Sequence, residues 1–350
     1  MTAPRLTLRG HLGSVDACAV SADGSLVASG GEDVAVRVWD ANTGGLLWKL
    51  GTPEVPGPAT VGRDPVEREI AAWSAGTDIG TRALGFSEDG RLLVHVWSEF
   101  VTVWNLANSA EWDPSIREQL ACVGWIYSDD DDAWAQACRI DEAEERIRIW
   151  FALPRGRVVW GDFELADGTL VELGECLERT RQLALRPDGG AVAAVGPDGE
   201  VSVRRPRRSE RARPADVIPL NAHDRSRGLD RPGSVIAAGC THGIFAQGSD
   251  ALVRPMTTGS AQPERIALDG VTVACAVARD RPLGVTACLG ARAESVTVWD
   301  LERLEVLRRL AVADVTDCAL SADGRVLVTS SGSQFFGTAG GDGVVQVWDL

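Results

Sequence analysis

The chain of 350 residues carries one lysine (Lys49) against thirty-four arginines, one tyrosine and two methionines. No stretch approaches the roughly 18 consecutive apolar residues of a membrane-spanning helix. The first ten residues, Met1 to Gly10, hold no apolar run of leader length. A cytoplasmic location is therefore expected, with reduced thiols. None of the eight cysteines forms a Cys-x-x-Cys pair, and the four histidines show no ligand spacing, so no metal is expected. No nucleophile elbow, phosphate-binding loop or dinucleotide fingerprint is present. These absences speak against an enzyme and against any cofactor. The near-absence of lysine reads as coding bias from a GC-rich, bacterial genome.

Charge narrows the partners. The net charge of −15 repels phosphate backbones and anionic lipid, so neither nucleic acid nor membrane is expected as a direct partner. One basic run interrupts this balance: Arg204, Arg205, Arg207, Arg208, Arg211 and Arg213. It reads as a solvated edge or loop. The acidic runs Asp129–Asp132 and Asp141–Glu145 lack the spacing of a calcium loop and read as solvated turns.

What the sequence has in abundance is a repeated phrase. Two apolar residues bracket a polar one and lead into tryptophan: Val36-Arg37-Val38-Trp39, Val101-Thr102-Val103-Trp104, Ile147-Arg148-Ile149-Trp150, Val296-Thr297-Val298-Trp299 and Val345-Gln346-Val347-Trp348. Val201-Ser202-Val203-Arg204 and Ala251-Leu252-Val253-Arg254 are degenerate copies, which makes seven. Alternation with period two marks strands. A second phrase precedes four of them: Ser21-Ala22-Asp23-Gly24, Ser87-Glu88-Asp89-Gly90, Arg186-Pro187-Asp188-Gly189 and Ser321-Ala322-Asp323-Gly324. Asp-Gly between apolar runs signals a hairpin, because both residues accept positive φ. Weaker versions are expected around Ser128, Cys240 and Ala278. Each unit then reads as four strands, here called a, b, c and d, with the tryptophan closing strand c. In unit one they are expected near Val15–Val20, Ser25–Gly30, Val34–Asp40 and Gly45–Gly51. Radial repetition of such sheets gives an all-β propeller of seven blades.

Gly10-His11, the Ser-x-Asp-Gly turn and Trp39-Asp40 stand in the order of the WD40 repeat family, which the chain resembles over nearly its whole length. The resemblance implies a hydrogen-bonded tetrad of His11, Ser29, Asp33 and Trp39. It also implies closure of the ring by an N-terminal strand: residues 5–10 would complete the last blade, 311–350, and the chain 1–350 would form one propeller.

The family commonly binds proteins on the face where the d–a and b–c loops open, the top face. Insertions are expected there at 52–79, 161–178 and 331–340. They carry Trp73 and the adjacent Phe335 and Phe336, aromatics of the kind enriched at interface centres. Residues entering strands a would rim the same face: Ser14, Asp16, Arg82, Arg179, Arg181, Asp314 and Thr316. The three arginines would form a basic arc suited to an acidic partner segment. The implied function is a non-catalytic scaffold or sensor subunit of a larger complex, partnered by a protease, an NTPase or another effector of bacterial signalling or defence. The alternative is a propeller enzyme or a small-ligand or peptide recognition module using the central channel or a loop pocket, with Trp73, Phe335 and Phe336 as the only visible material for an aromatic cage; Cys240 and His242, two apart in the a–b turn of unit five, lack the further groups that a nucleophile or a metal needs. Cys18, Cys275 and Cys318 share one register in strands a and are expected in the core.

Overall fold

A computed structural model describes residues 3–33, 35–51, 81–97, 100–106, 119–123, 134–141, 145–153, 157–165, 170–175, 182–188, 191–196, 200–205, 217–219, 234–257, 262–289, 295–332 and 343–350. Among these residues every regular element is a strand, and no helix is long and apolar enough to cross a membrane. Strand β1 (Leu6–Leu8) stands alone at the N-terminus. Blade one follows as β2 (Val15–Val20), β3 (Leu26–Gly31), β4 (Ala35–Asp40) and β5 (Leu46–Gly51). Blade two is β6 (Thr81–Phe86), β7 (Leu92–Trp97), β8 (Phe100–Asn105) and β9 (Gln119–Val123). Blade three is β10 (Trp134–Asp141), β11 (Arg146–Leu153), β12 (Arg157–Glu164) and β13 (Leu170–Glu175). Blade four is β14 (Gln182–Leu185), β15 (Val192–Val195) and β16 (Val201–Arg204), followed in the chain by a short β17 (Val217–Pro219). Blade five is β18 (Ser234–Ala238), β19 (His242–Gln247), β20 (Asp250–Pro255) and β21 (Glu264–Ala267). Blade six is β22 (Val271–Val277), β23 (Leu283–Leu289), β24 (Val296–Asp300) and β25 (Glu305–Leu310). Blade seven is β26 (Val315–Leu320), β27 (Val326–Ser331) and β28 (Val344–Asp349).

These strands form seven sheets. Both faces of each blade are apolar, because each is covered by a neighbour. Seven apolar clusters result, each shared by two adjacent blades. Val36, Val38 and Leu50 meet Leu84, Phe86 and Trp104 between blades one and two. Cys318, Leu327 and Trp348 meet Val285 and Val298 between blades seven and six. The ring is shut by Val15, Val27 and Trp39 of blade one against Val328, Val345 and Val347 of blade seven. Leu8 joins that last cluster. Its strand β1 pairs antiparallel with β28 in the register Leu6↔Val347, Thr7↔Gln346, Leu8↔Val345. The two ends of the chain thus complete one blade, and no edge of β28 is left open.

The Ser-x-Asp-Gly phrase makes the same a–b turn three times. Gly24, Gly90 and Gly324 have φ of +74°, +70° and +68°. Each donates its N–H to the carbonyl of the serine at 2.9 Å. The aspartate is not a positive-φ residue, contrary to the sequence expectation. Its carboxylate instead accepts the serine hydroxyl, at 2.6 Å for Ser21–Asp23, 2.6 Å for Ser87–Asp89 and 2.8 Å for Ser321–Asp323. It also accepts the next N–H after the glycine, from Ser25, Arg91 or Arg325. Burial opposes ionisation of Asp23, Asp89 and Asp323, but these hydrogen bonds prevail and hold the carboxyls below their ordinary range.

Blade three departs from the sequence reading. In blades one, two, five, six and seven the residue after strand c donates its N–H to the residue just before strand b: Ala41 to Ser25, Leu106 to Arg91, Met256 to Thr241, Leu301 to Pro282 and Leu350 to Arg325. In blade three that bond runs from Leu165 to Glu145. Strand b is therefore β11 and strand c is β12. The phrase Ile147-Arg148-Ile149-Trp150 lies on strand b, and Phe163 occupies the place of the closing tryptophan. Pairing of Phe163 with Leu170, and of Trp39 with Leu46, shows the same register and the same bulge. The expected turn at Ser128 lies outside the described residues, and strand a starts only at Trp134. The expected insertion 161–178 is in large part strand: it contains the end of β12 and all of β13. An alternating apolar run cannot say which strand of a hairpin it is; only the pairing does.

Blade four departs too. Its sheet has three described strands, β14, β15 and β16. The strand that follows in the chain, β17, pairs instead with β10 of blade three, in the register Cys138↔Ile218. There it touches β6 and β14, the innermost strands of blades two and four. Strand β17 therefore runs inside the central channel.

Candidate functional site

Blade one holds a hydrogen-bonded chain of four side chains. Trp39 Nε1 donates to Ser29 Oγ at 2.9 Å. Ser29 Oγ lies 2.8 Å from His11 Nε2, and His11 Nδ1 lies 2.8 Å from Asp33 Oδ1. Ser29 accepts from tryptophan, so its own proton goes to Nε2. Nδ1 then carries the ring proton and donates it to Asp33. Arg37 Nη1 donates to Asp33 Oδ2 at 2.8 Å. It also approaches Nδ1 to 2.8 Å, but a protonated nitrogen cannot accept. That approach follows from the carboxylate the two residues share. Burial raises the carboxyl pKa of Asp33, yet the bonds from His11, the Leu12 N–H and Arg37 bring it down to about 2. The four residues named from the sequence are thus joined, and Arg37 is a fifth member that the sequence reading missed. Its signal was an arginine two residues before the tryptophan, on the same face of the strand.

The other blades keep parts of this arrangement. Trp299 Nε1 donates to Thr286 at 2.9 Å and Trp348 Nε1 to Thr329 at 3.1 Å. In blade two His95 stands at the serine position, opposite Thr102, and its Nε2 lies 3.1 Å from Thr81 Oγ1. Trp104 Nε1 is buried with no hydrogen-bond partner among the described residues. In blade three the two positions are Ile149 and Phe163, an apolar pair. In blades four and five Arg204 and Arg254 take the tryptophan position.

The tetrad braces the entry to strand a at the top face. Leu12 follows His11, has its N–H bonded to Asp33 Oδ2 at 3.1 Å, and is 72% exposed. It is the most exposed large apolar side chain described. Beside it, Glu32 accepts the Ser14 N–H at 3.1 Å and is itself exposed. Ser14 donates its hydroxyl to Asp16 at 3.0 Å. The two described ends of the b–c connection of blade seven meet the same spot. Gly343 N–H donates to the Gly13 carbonyl at 2.7 Å, and Gly332 N–H to the Asp314 carbonyl at 3.1 Å. A side chain at Gly332 would collide with Ser14, whose Cα would lie 2.5 Å from its Cβ.

The rim residues named from the sequence divide accordingly. Asp314 is exposed, at a φ of +47°, while Asp16 and Arg82 are half-buried. Ser14 and Thr316 are not surface residues: they are 4% and 2% exposed. Thr316 is the bulged residue of its strand, and its hydroxyl meets Ser330 of its own blade and donates to the Val15 carbonyl across the seam between blades seven and one. Trp73, Arg179, Arg181, Phe335 and Phe336 lie outside the described residues, so the basic arc is represented by Arg82 alone. The described rim at blades seven and one is acidic, with Asp16, Glu32, Asp33 and Asp314.

On the opposite face the a–b turns of blades one, seven, six and five are linked one to the next. Ala322 N–H donates to the Ala22 carbonyl, Asp280 N–H to Ala322 and Cys240 N–H to Arg279, at 3.0, 2.9 and 2.9 Å. Arg279 also pairs with Glu88 of blade two at 2.7 Å. Burial and the nearby Asp188 push the Cys240 thiol up, and burial lowers the pKa of His242. A thiol so protonated is a poor nucleophile at neutral pH. Among the described residues no group of three His, Cys, Asp or Glu side chains could hold a metal. Cys18, Cys275 and Cys318 are buried in the core.

Comparison with a family model matches these same joined ends. The family model described as "WD domain, G-beta repeat" matches residues 2–40 and 307–349. The chain is similar to the small ribosomal subunit protein RACK1y of Oryza sativa subsp. japonica, 54% identical over 46 residues, which is 13% of this chain and 14% of that protein. It is similar to the ribosome biogenesis protein erb1 of Neosartorya fischeri, 36% identical over 88 residues, covering 25% of this chain and 10% of that protein. The erb1 of Emericella nidulans is 44% identical over 85 residues, covering 22% and 10%. The chain thus spans no more than 14% of the length of these relatives. They come from a plant and from fungi and lend no support to a bacterial source.

Proposed function

We propose that this chain is a non-catalytic protein-binding propeller, a cytoplasmic subunit that holds a protein partner on the top face of blades seven and one. One observation carries the reading. The segment bearing Phe335 and Phe336 leaves at Gly332 and returns at Gly343, and both ends rest on Gly13, Ser14 and Asp314 beside exposed Leu12. An apolar anchor on a rigid base with a charged rim is the anatomy of a binding hot spot. The acidic rim of Asp16, Glu32 and Asp314 favours a partner surface that is basic around an apolar pocket. The basic arc of Arg82, Arg179 and Arg181 would then face the far side of the same partner. Strand β17 in the channel weighs against channel chemistry.

A photo-crosslinking residue in place of Leu12 tests this. The expected result is a crosslink to a protein in cell extract, lost when Phe335 and Phe336 are both alanine, with the melting temperature unchanged. Equal capture by wild type, Leu12→Asp and the double alanine variant would overturn the top-face reading.

A further inference from the structure

We propose that the groove between β1 and β5, on the outer wall where blades seven and one meet, docks an acidic partner segment that carries an apolar anchor. This goes beyond the top-face reading and rests on different residues. Apart from Leu12, every exposed large apolar side chain among the described residues lies on the outermost strand of blade one, three or six. The cause is local. Strands β5, β13 and β25 each carry one extra residue opposite strand c, at Leu47, Val171 and Leu307. A bulge of this kind bends the strand, re-aims its side chains and disrupts the outer ladder. The pairs Leu46–Leu47, Leu170–Val171 and Val306–Leu307 are exposed there. Such a rim offers a partner side chains in place of a clean strand edge.

Blade one differs from the other two in what surrounds its pair. Trp39 pairs with Leu46 and Arg37 with Lys49. Trp39 packs on blade seven, and Arg37 shares its face of β4, so Leu46 and Lys49 lie on that side of β5. Across the seam Leu6 and Leu8 turn toward blade one, as their partners Val347 and Val345 do. Arg5 ties β1 to blade one by donating to the Ala41 carbonyl at 2.9 Å. The c–d turn of blade one nests against β1: a side chain at Gly44 would meet Leu8 at 3.3 Å and Leu6 at 3.6 Å. Half-buried Leu6 therefore continues the apolar surface of Leu46 and Leu47, which are 50% and 40% exposed.

Charge selects the occupant. Lys49, the one lysine of the chain, is exposed at the top-face end of β5. Arg9 is exposed just beyond β1, and Gly10 after it lies against Arg37, the residue opposite Lys49. Among the described residues neither Arg9 nor Lys49 belongs to an ion pair. On blade six Arg309 is neutralised by Asp269, and on blade three the neighbour of the pair is exposed Glu172. Of the three rims, blade one alone sets uncompensated positive charge beside its apolar pair. A segment of leucine and carboxylate residues matches it, while a surface of net charge −15 disfavours that segment elsewhere.

The test uses the full chain and dansyl-labelled peptides blocked at both ends. One joins a leucine pair to a glutamate pair. In the second lysines replace the glutamates, and in the third serines replace the leucines. Binding is read by anisotropy, and a carbodiimide then couples bound glutamate to a neighbouring amine. The glutamate peptide is expected to bind at least about tenfold tighter than the other two and to be coupled at Lys49. Lys49→Glu should remove most of its preference over the lysine peptide, and Leu47→Asp should weaken it with the melting temperature unchanged. Leu12→Asp and Leu307→Asp should leave binding intact, which separates this groove from the top face and from blade six. Equal affinity for the acidic and basic peptides would overturn the proposal, as would binding untouched by Leu47→Asp. Coupling of Lys49 to a second copy of the chain without peptide would give the groove to self-association and overturn it. Tighter binding of phosphatidylserine vesicles than of the glutamate peptide, lost in Lys49→Glu, would assign it to lipid and overturn it too.

Discussion

Blades one, six and seven differ from blades two to five in how they treat one buried position. In the first group an indole N–H inside the blade meets a serine or threonine hydroxyl, at Trp39–Ser29, Trp299–Thr286 and Trp348–Thr329. In the second group the pair is lost in different ways. Blade two keeps the tryptophan and loses the hydroxyl. Blade three replaces both with Ile149 and Phe163. Blades four and five put arginine where tryptophan stood. A buried donor with no acceptor costs about 1–3 kcal/mol, whereas replacing both partners by apolar groups is close to neutral. Blade three has no orphaned donor at this position, yet Trp150 Nε1 on its strand b is buried with no hydrogen-bond partner among the described residues. The described blades share a strand register, and three of them share one a–b turn; they do not share one internal network.

The comparison can be broken first at the seam. Deleting residues 1–10 removes β1, opens the edge of β28, exposes Leu8's site and takes His11's neighbour away from the tetrad. The melting temperature should fall by more than about 10 °C; a fall of less than 2–3 °C, on the order of ordinary surface changes, would mean that β1 does not hold the ring shut. The next test pairs two substitutions. Trp39→Phe removes a donor that is used, and should cost about 2–3 kcal/mol in denaturant unfolding. Trp104→Phe removes a donor with no described partner, and should cost at least about 1 kcal/mol less. Equal costs would show that the Trp39–Ser29 bond adds nothing beyond packing.

The smallest effect is one of pH. Burial lowers the pKa of His95 to about 3, against an ordinary value of 6.5. The folded protein then binds fewer protons at this site than the unfolded chain. The stability this neutral histidine allows is complete above pH 6.5 and is lost as pH falls from 6.5 toward 3, by up to about 1.4 kcal/mol per unit. At pH 5 the loss is about 2 kcal/mol. His95→Thr, the residue used in blades six and seven, should flatten stability between pH 6.5 and 5 and give Trp104 an acceptor. An unchanged slope would remove His95 from the account.

Much of this was legible along the chain. The three Ser-x-Asp-Gly turns, the tetrad of His11, Ser29, Asp33 and Trp39, and the apolar phrases that became β4, β8, β16, β20, β24 and β28 are local patterns with local causes. A glycine at positive φ and a strand with two apolar faces leave their mark within a few residues. Ile147–Trp150 misled because a strand b and a strand c with both faces covered have the same alternation. Ser14 and Thr316 misled because a bulge turns a rim residue inward. Leu12 carried no signal of its own, since a lone leucine after Gly-His reads as one more apolar residue.

The amino-acid sequence by itself determined the strand content, the number of blades and the braced entry at His11, because each rests on spacing and on side chains close together in the chain. Tertiary structure alone decided that β17 runs in the channel and not on the edge of blade four, and that Gly332 and Gly343 land beside Leu12. Both are contacts between distant segments. Such contacts depend on which partner surface is free once the ring has formed, and no local pattern encodes that.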